Sequence, residues 1–268
     1  MPKSSRGGKA GATTTFTMRQ PVYHPVTNPR PTPQPVPQPA PNPIQQNTGN
    51  PNLDSFRKMT DDQKADVLSQ VKNTQVPIFL AQSDTQRVLY GLGMNDKPTL
   101  VDDSTLDTMP GKDLYRVVNS TNDPTNRIKY AATDVANQVI RGTVTRVSDT
   151  GGSVHGRGVY FADSYGEAAV YGHRAGNIQQ TAVIRVKLSQ TAKTVSERIA
   201  DNGVMQEINS GSKLGKTIAQ MGSKDRTAIW ALARGYDAIV ASNGYHVIIN
   251  RSALVASKTI NPMGYKWK

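Results

Sequence analysis

The residues best suited to chemistry lie in three separated stretches. In the first, Gly156-Arg157-Gly158-Val159-Tyr160-Phe161-Ala162-Asp163-Ser164, two glycines open a turn that runs into a short aromatic strand. Glycine lets a backbone approach a ligand closely, and Tyr160 and Phe161 offer ring faces on opposite sides of a strand. Such a junction can hold a flat ring, although a surface turn entering a core strand has the same composition. Upstream, Leu114-Tyr115-Arg116-Val117-Val118-Asn119-Ser120 sets one arginine in an apolar run. A strand-borne guanidinium can grip phosphate oxygens in pairs, or simply meet a surface carboxylate. Downstream, Arg234-Gly235-Tyr236-Asp237-Ala238-Ile239-Val240 precedes Gly244-Tyr245-His246-Val247-Ile248-Ile249-Asn250. The Asn243-Gly244 pair between these runs predicts a tight hairpin.

Taken in order, the three blocks resemble the ADP-ribosyltransferase superfamily, in which a Leu-Tyr/Phe-Arg/His strand, a Gly-x-Gly-Ile/Val-Tyr-Phe segment and a Gly-Tyr-Asp-Ala-Ile-Val hairpin form the NAD pocket. The resemblance covers about residues 112 to 256. It implies that Tyr115 and Arg116 contact NAD from the first block, and Gly158, Tyr160, Phe161 and Ser164 from the second. Tyr160 and Tyr171 would sandwich the nicotinamide, with Ser164 and Ala168 as small spacers, and His155 and Arg157 would reach adenine, ribose or phosphate from their turn. The implied activity is mono-ADP-ribosyl transfer, with NAD as substrate and a protein or small molecule as acceptor. Breaking the nicotinamide–ribose bond builds positive charge on the ribose, which a carboxylate stabilises. Related enzymes carry an acid just before the last strand, where this chain has Tyr245 and His246. Those two are the catalytic candidates; Glu167 or Glu207 could supply the missing charge, or the module binds a nucleotide without reacting. Asp237 is read as a hydrogen-bonding residue of the hairpin.

The elements that must position these residues follow from periodicity. Helices are predicted over residues 54–71, 78–92, 130–140, 165–171, 196–221 and 224–233, and strands over 114–118, around Tyr160, over 181–188, 238–241 and 247–249. This is an α+β pattern, and with the resemblance it implies a mostly antiparallel split sheet with interspersed helices, preceded by a helical segment and a disordered N-terminal arm. The division is an arm over residues 1–52, a helical preface over 53–111 and the ADP-ribosyltransferase-like domain over 112–268.

Composition supports the division. The first fifty residues hold eleven of the seventeen prolines, five lysines or arginines and no acid. Proline alternating with Gln, Val, Asn and Thr favours extended chain and offers little apolar surface. The formal charge of +12 divides into +5 from this arm and +7 from the rest, which suits an anionic partner. Nucleic acid is one candidate partner for the arm. The opening Pro2-Lys3-Ser4-Ser5-Arg6-Gly7-Gly8-Lys9 before a Pro/Gln linker is similar to the start of some bacteriophage particle proteins, which makes particle proteins another and a virion or host cytoplasm the implied locations. With no cysteine, neither disulfides nor thiolate metal sites are available, and the four histidines lack metal-ligand spacing. No metal is expected. No run of apolar residues is long enough to span a bilayer, and no apolar signal region follows Met1.

Overall fold

The computed structural model describes residues 51–73, 83–92, 97–119, 121–122, 129–140, 158–174 and 181–262. The basic arm, His155, Arg157 and most of the glycine-rich turn lie outside them. The class is α+β, with nine helices among the described residues and one large sheet.

Helix α1 spans Pro51–Lys58 and α2 spans Asp61–Lys72, so the single helix predicted over 54–71 is two. The break is local chemistry. Thr60 Oγ1 accepts from the Gln63 N–H while the Gln63 side chain accepts from the Thr60 N–H, a reciprocal capping box that starts a new helix. Helix α3 (Asp84–Gly91) begins at Ser83, whose hydroxyl accepts from Gln86 N–H. Leu53, Phe56, Ala65, Leu68, Val71 and Val88 from these helices are buried in one cluster with α7 (Glu197–Asn209), α8 (Lys213–Ala219) and α9 (Arg226–Ala233).

Eight strands follow one another across the sheet, and a ninth attaches to one of them. In spatial order they are β1 (Thr99–Val101), β10 (Leu254–Ser257), β6 (Thr181–Leu188), β2 (Asp113–Asn119), β5 (Val159–Ala162), β9 (Tyr245–Ile248), β8 (Ala238–Val240) and β7 (Thr194–Ser196). Strand β11 (Asn261–Pro262) pairs with β6, while β3 (Thr121–Asn122) and β4 (Lys129–Tyr130) form a separate ribbon. The interior pairings are antiparallel, but β1 runs parallel to β10 and β7 parallel to β8. The sheet is therefore mixed rather than mostly antiparallel. The reason at one edge is a crossover: α7, α8 and α9 lie between β7 and β8 in the chain, which returns the second strand in the direction of the first.

Pleating divides the core. Val159 and Phe161 of β5, Ile248 of β9, Leu114 and Val118 of β2, and Ile184 of β6 pack with Val135, Ala136 and Val139 of α5 (Ala132–Ile140). On the other face, Val247 and Ile239 join the cluster of α1–α3 and α7–α9, with Tyr160 packed against it. Helix α6 (Tyr165–Arg174) lies on β2 and β5.

Candidate functional site

Strands β2, β5 and β9 carry the three sequence blocks and are neighbours in the sheet. Tyr115 stands opposite Ala162, and Ala162 opposite Tyr245, so one row crosses all three. Phe161 faces His246 in the next row, and Tyr160 faces Val247. Between β2 and β5 the only paired position is Tyr115 with Ala162, whereas β2 pairs with β6 along its whole length. Beyond that position the Arg116 Nη1 donates to the Tyr160 carbonyl at 3.0 Å, so a side chain spans the seam where the backbones part.

Alternation of side chains splits the candidates between two faces. Tyr115, Tyr160 and Tyr245 share the face on which Val247 packs, while Arg116, Phe161 and His246 share that of Leu114 and Val118. Phe161 is fully buried and is core. Tyr160 is half-buried, its ring against the helical cluster. Tyr115 meets the Tyr165 ring edge-on, centroids 6.1 Å apart, and its hydroxyl donates to Asp113 Oδ2 at 3.4 Å. Burial raises its phenol pKa, and the Asp113 carboxylate adds to the rise. Gly158 is the seat of a close approach: a β-carbon there would lie 2.7 Å from the Ile248 carbonyl oxygen and 2.7 Å from Val247 Cγ1. Ser164 Oγ accepts from Glu167 N–H at 3.2 Å, capping α6. Tyr171 lies within α6, on the helix that packs on β2 and β5. His155 is outside the described residues.

At the end of the shared row, Asp163 follows Ala162 and is fixed by backbone: its N–H donates to the Gly244 carbonyl at 3.0 Å. Its carboxylate occupies the space above Gly244, where a β-carbon would meet the carboxylate atoms at 2.9 to 3.1 Å. Gly244 itself has φ +83°, the left-handed region the turn requires. Lys112 Nζ donates to Asp163 Oδ2 at 2.7 Å. Half-buried His246 has its Nδ1 buried without a hydrogen-bond partner. Burial lowers its pKa; the Asp163 carboxylate opposes that shift and the Lys112 ammonium reinforces it. Asp163 and Lys112 act on the candidate His246, and no sequence pattern singled them out. Asp163 lies inside the glycine-aromatic stretch, but its contact with the turn before Tyr245 depends on strand register.

The other acids are engaged or displaced. Asp237 is buried and accepts from Arg57 Nη2 at 2.6 Å, Asn250 Nδ2 at 2.7 Å and Lys193 N–H at 2.8 Å, so it joins α1 to the hairpin as a structural carboxylate. Glu207 pairs with Arg234 and accepts from Ser212 Oγ at 2.8 Å within the helical cluster. Glu167 is exposed on α6. Among the described residues no group of three His, Cys, Asp or Glu could hold a metal ion, and no helix is long and apolar enough to cross a membrane. Comparison with protein-family models, curated proteins and solved structures gives no match for this chain.

Proposed function

We propose that residues 112–256 are an NAD-handling site of the ADP-ribosyltransferase type, whose reaction is mono-ADP-ribosyl transfer to a protein or small-molecule acceptor. One observation carries this reading: three blocks far apart in the chain are neighbouring strands, with Tyr115, Ala162 and Tyr245 in one row. The single paired position between β2 and β5 supports it further, because it leaves a split in the sheet at the Arg116 position. Arg116 brings a permanent positive charge suited to a pyrophosphate. Tyr160 on β5 and Tyr171 within α6 are the proposed nicotinamide residues and Tyr245 and His246 on β9 the proposed ribose residues, with Arg116 and His246 on one face of the sheet and Tyr160 and Tyr245 on the other. Holding the ring and phosphates apart fixes the glycosidic bond in place for cleavage.

A second reading, a nucleotide-binding module that does not react and serves in a phage particle, is favoured by a different observation. Tyr245 and His246 occupy the places where an acid is expected. In either case the first fifty residues, basic and without acids, are proposed to tether the protein to an anionic partner such as nucleic acid or a particle protein. Incubation with NAD labelled in the nicotinamide ring tests the enzyme reading. Steady release of nicotinamide, lost in Arg116→Ala and Tyr160→Ala, is expected; binding without release over a range of acceptors leaves the second reading.

A further inference from the structure

We infer that Asp163 is the carboxylate of this site, acting on the ribose in place of the acid absent at Tyr245 and His246. The inference rests on the proposed NAD site and deepens it. Charge stabilisation in glycosidic cleavage needs a carboxylate fixed before the reaction begins. Asp163 is so fixed, by its backbone bond to Gly244 and by the space that a glycine at 244 leaves for its side chain. It adjoins the row that joins the three motif strands, and its charge acts on His246. Of the alternatives, Asp237 has three donors, Glu207 holds Arg234, and Asp113 on β2 faces the Arg185 and Lys187 side chains and the Tyr115 hydroxyl.

Two details fit a working carboxylate rather than a buried strut. The Asp163 side chain is 28% exposed and its Lys112 partner 65% exposed, so the ion pair is of the weak, solvent-screened kind that a ligand can displace. Lys112 donates to Oδ2, and both carboxylate oxygens lie over the Gly244 turn that leads into Tyr245. The turn leads on to His246, whose Nδ1 is buried without a hydrogen-bond partner. In the step itself the C1′–N bond breaks and its electron pair leaves on the nicotinamide nitrogen. Positive charge spreads over C1′ and the ribose ring oxygen, opposite the Asp163 carboxylate. A lone pair of the acceptor, a hydroxyl, amine or water, forms the new bond to C1′, and its proton passes to Asp163 and on to solvent.

The test is nicotinamide release and NAD calorimetry on the full chain, comparing wild type with Asp163→Asn, which keeps the side-chain shape. Release is expected to fall by about 10²-fold or more, the usual effect of removing one electrostatic stabiliser, with NAD affinity nearly unchanged and thermal melting still cooperative. If Asp163→Asn does not fold, D163S/K112S leaves no unpaired charge and is expected to show the same loss. Wild-type release in either variant overturns the role of Asp163 and leaves the site standing. Wild-type protein that binds NAD without releasing nicotinamide overturns it too, in favour of a binding module. Wild-type protein that does not bind NAD removes the site reading itself.

Discussion

Asp237, just before β8, and His246 on β9 belong to one hairpin but differ in their polar partners. Three donors meet the Asp237 carboxylate, among them the buried Arg57 guanidinium. Removing the carboxylate strands that cation, so Asp237→Ala is expected to cost about 3–5 kcal/mol in urea unfolding. His246 Nδ1 has no hydrogen-bond partner, and burial lowers the imidazole pKa, with the Asp163 carboxylate opposing that shift and the Lys112 ammonium reinforcing it. Its folded pKa lies below the ordinary 6.5, so as pH falls through 6.5 the unfolded chain takes up the proton first. The protein therefore loses stability as pH falls from 6.5 towards the lower folded value, and the loss ends below it. His246→Gln is expected to flatten that part of the thermal-midpoint profile, whereas an unchanged pH dependence would show that folding does not lower the His246 pKa. At this scale the sequence made Asp237 legible, since its place in the hairpin block predicted a hydrogen-bonding role. It did not make Asp163 legible, because a residue one beyond a strand has no pattern of its own until the neighbouring turn is in place.

Among the elements, helix signals were plain and edge strands were not. The sequence Thr60-Asp61-Asp62-Gln63 already spells the capping box that divides α1 from α2, although the apolar periodicity runs through it as one helix. Thr60→Ala is expected to cost about 1 kcal/mol by chemical denaturation. Strands β1 and β7 are three residues each, too short to show alternation, and both lie at sheet edges. Their parallel pairing is set by the chain's return path, which no local pattern encodes. Helix packing hides a similar constraint in α7. A β-carbon at Gly203 would lie 2.1 Å from Trp230 Cζ2 of α9, so the indole occupies the place of a side chain. Alanine ordinarily favours a helix interior over glycine by about 1 kcal/mol. Here Gly203→Ala is expected to destabilise by about 1–3 kcal/mol, because Trp230 must shift in a packed core. A gain in stability would mean that the two helices separate at little cost.

For the whole molecule, the described core begins at Leu53 and closes through β10, with the helical cluster on one face of the sheet and α5 on the other. Removal of residues 1–50 is expected to abolish salt-dependent retention on nucleic acid, a partner proposed for this basic arm, and unchanged retention would remove that partner. The α+β class was legible from the mixture of helical and alternating segments. The way in which Tyr115, Tyr160 and Tyr245 share one face and Arg116 and His246 the other was not, since it depends on register across β2, β5 and β9. That register brings the three blocks together, and the proposed binding of NAD by these strands depends on it. The most direct measurement is a calorimetric titration of the full chain with NAD, alongside Arg116→Ala and Tyr160→Ala proteins confirmed to be folded. Saturable binding of NAD by the wild type, weakened at least tenfold in each variant, is the predicted result. No binding, or binding that both variants retain in full, would contradict the account.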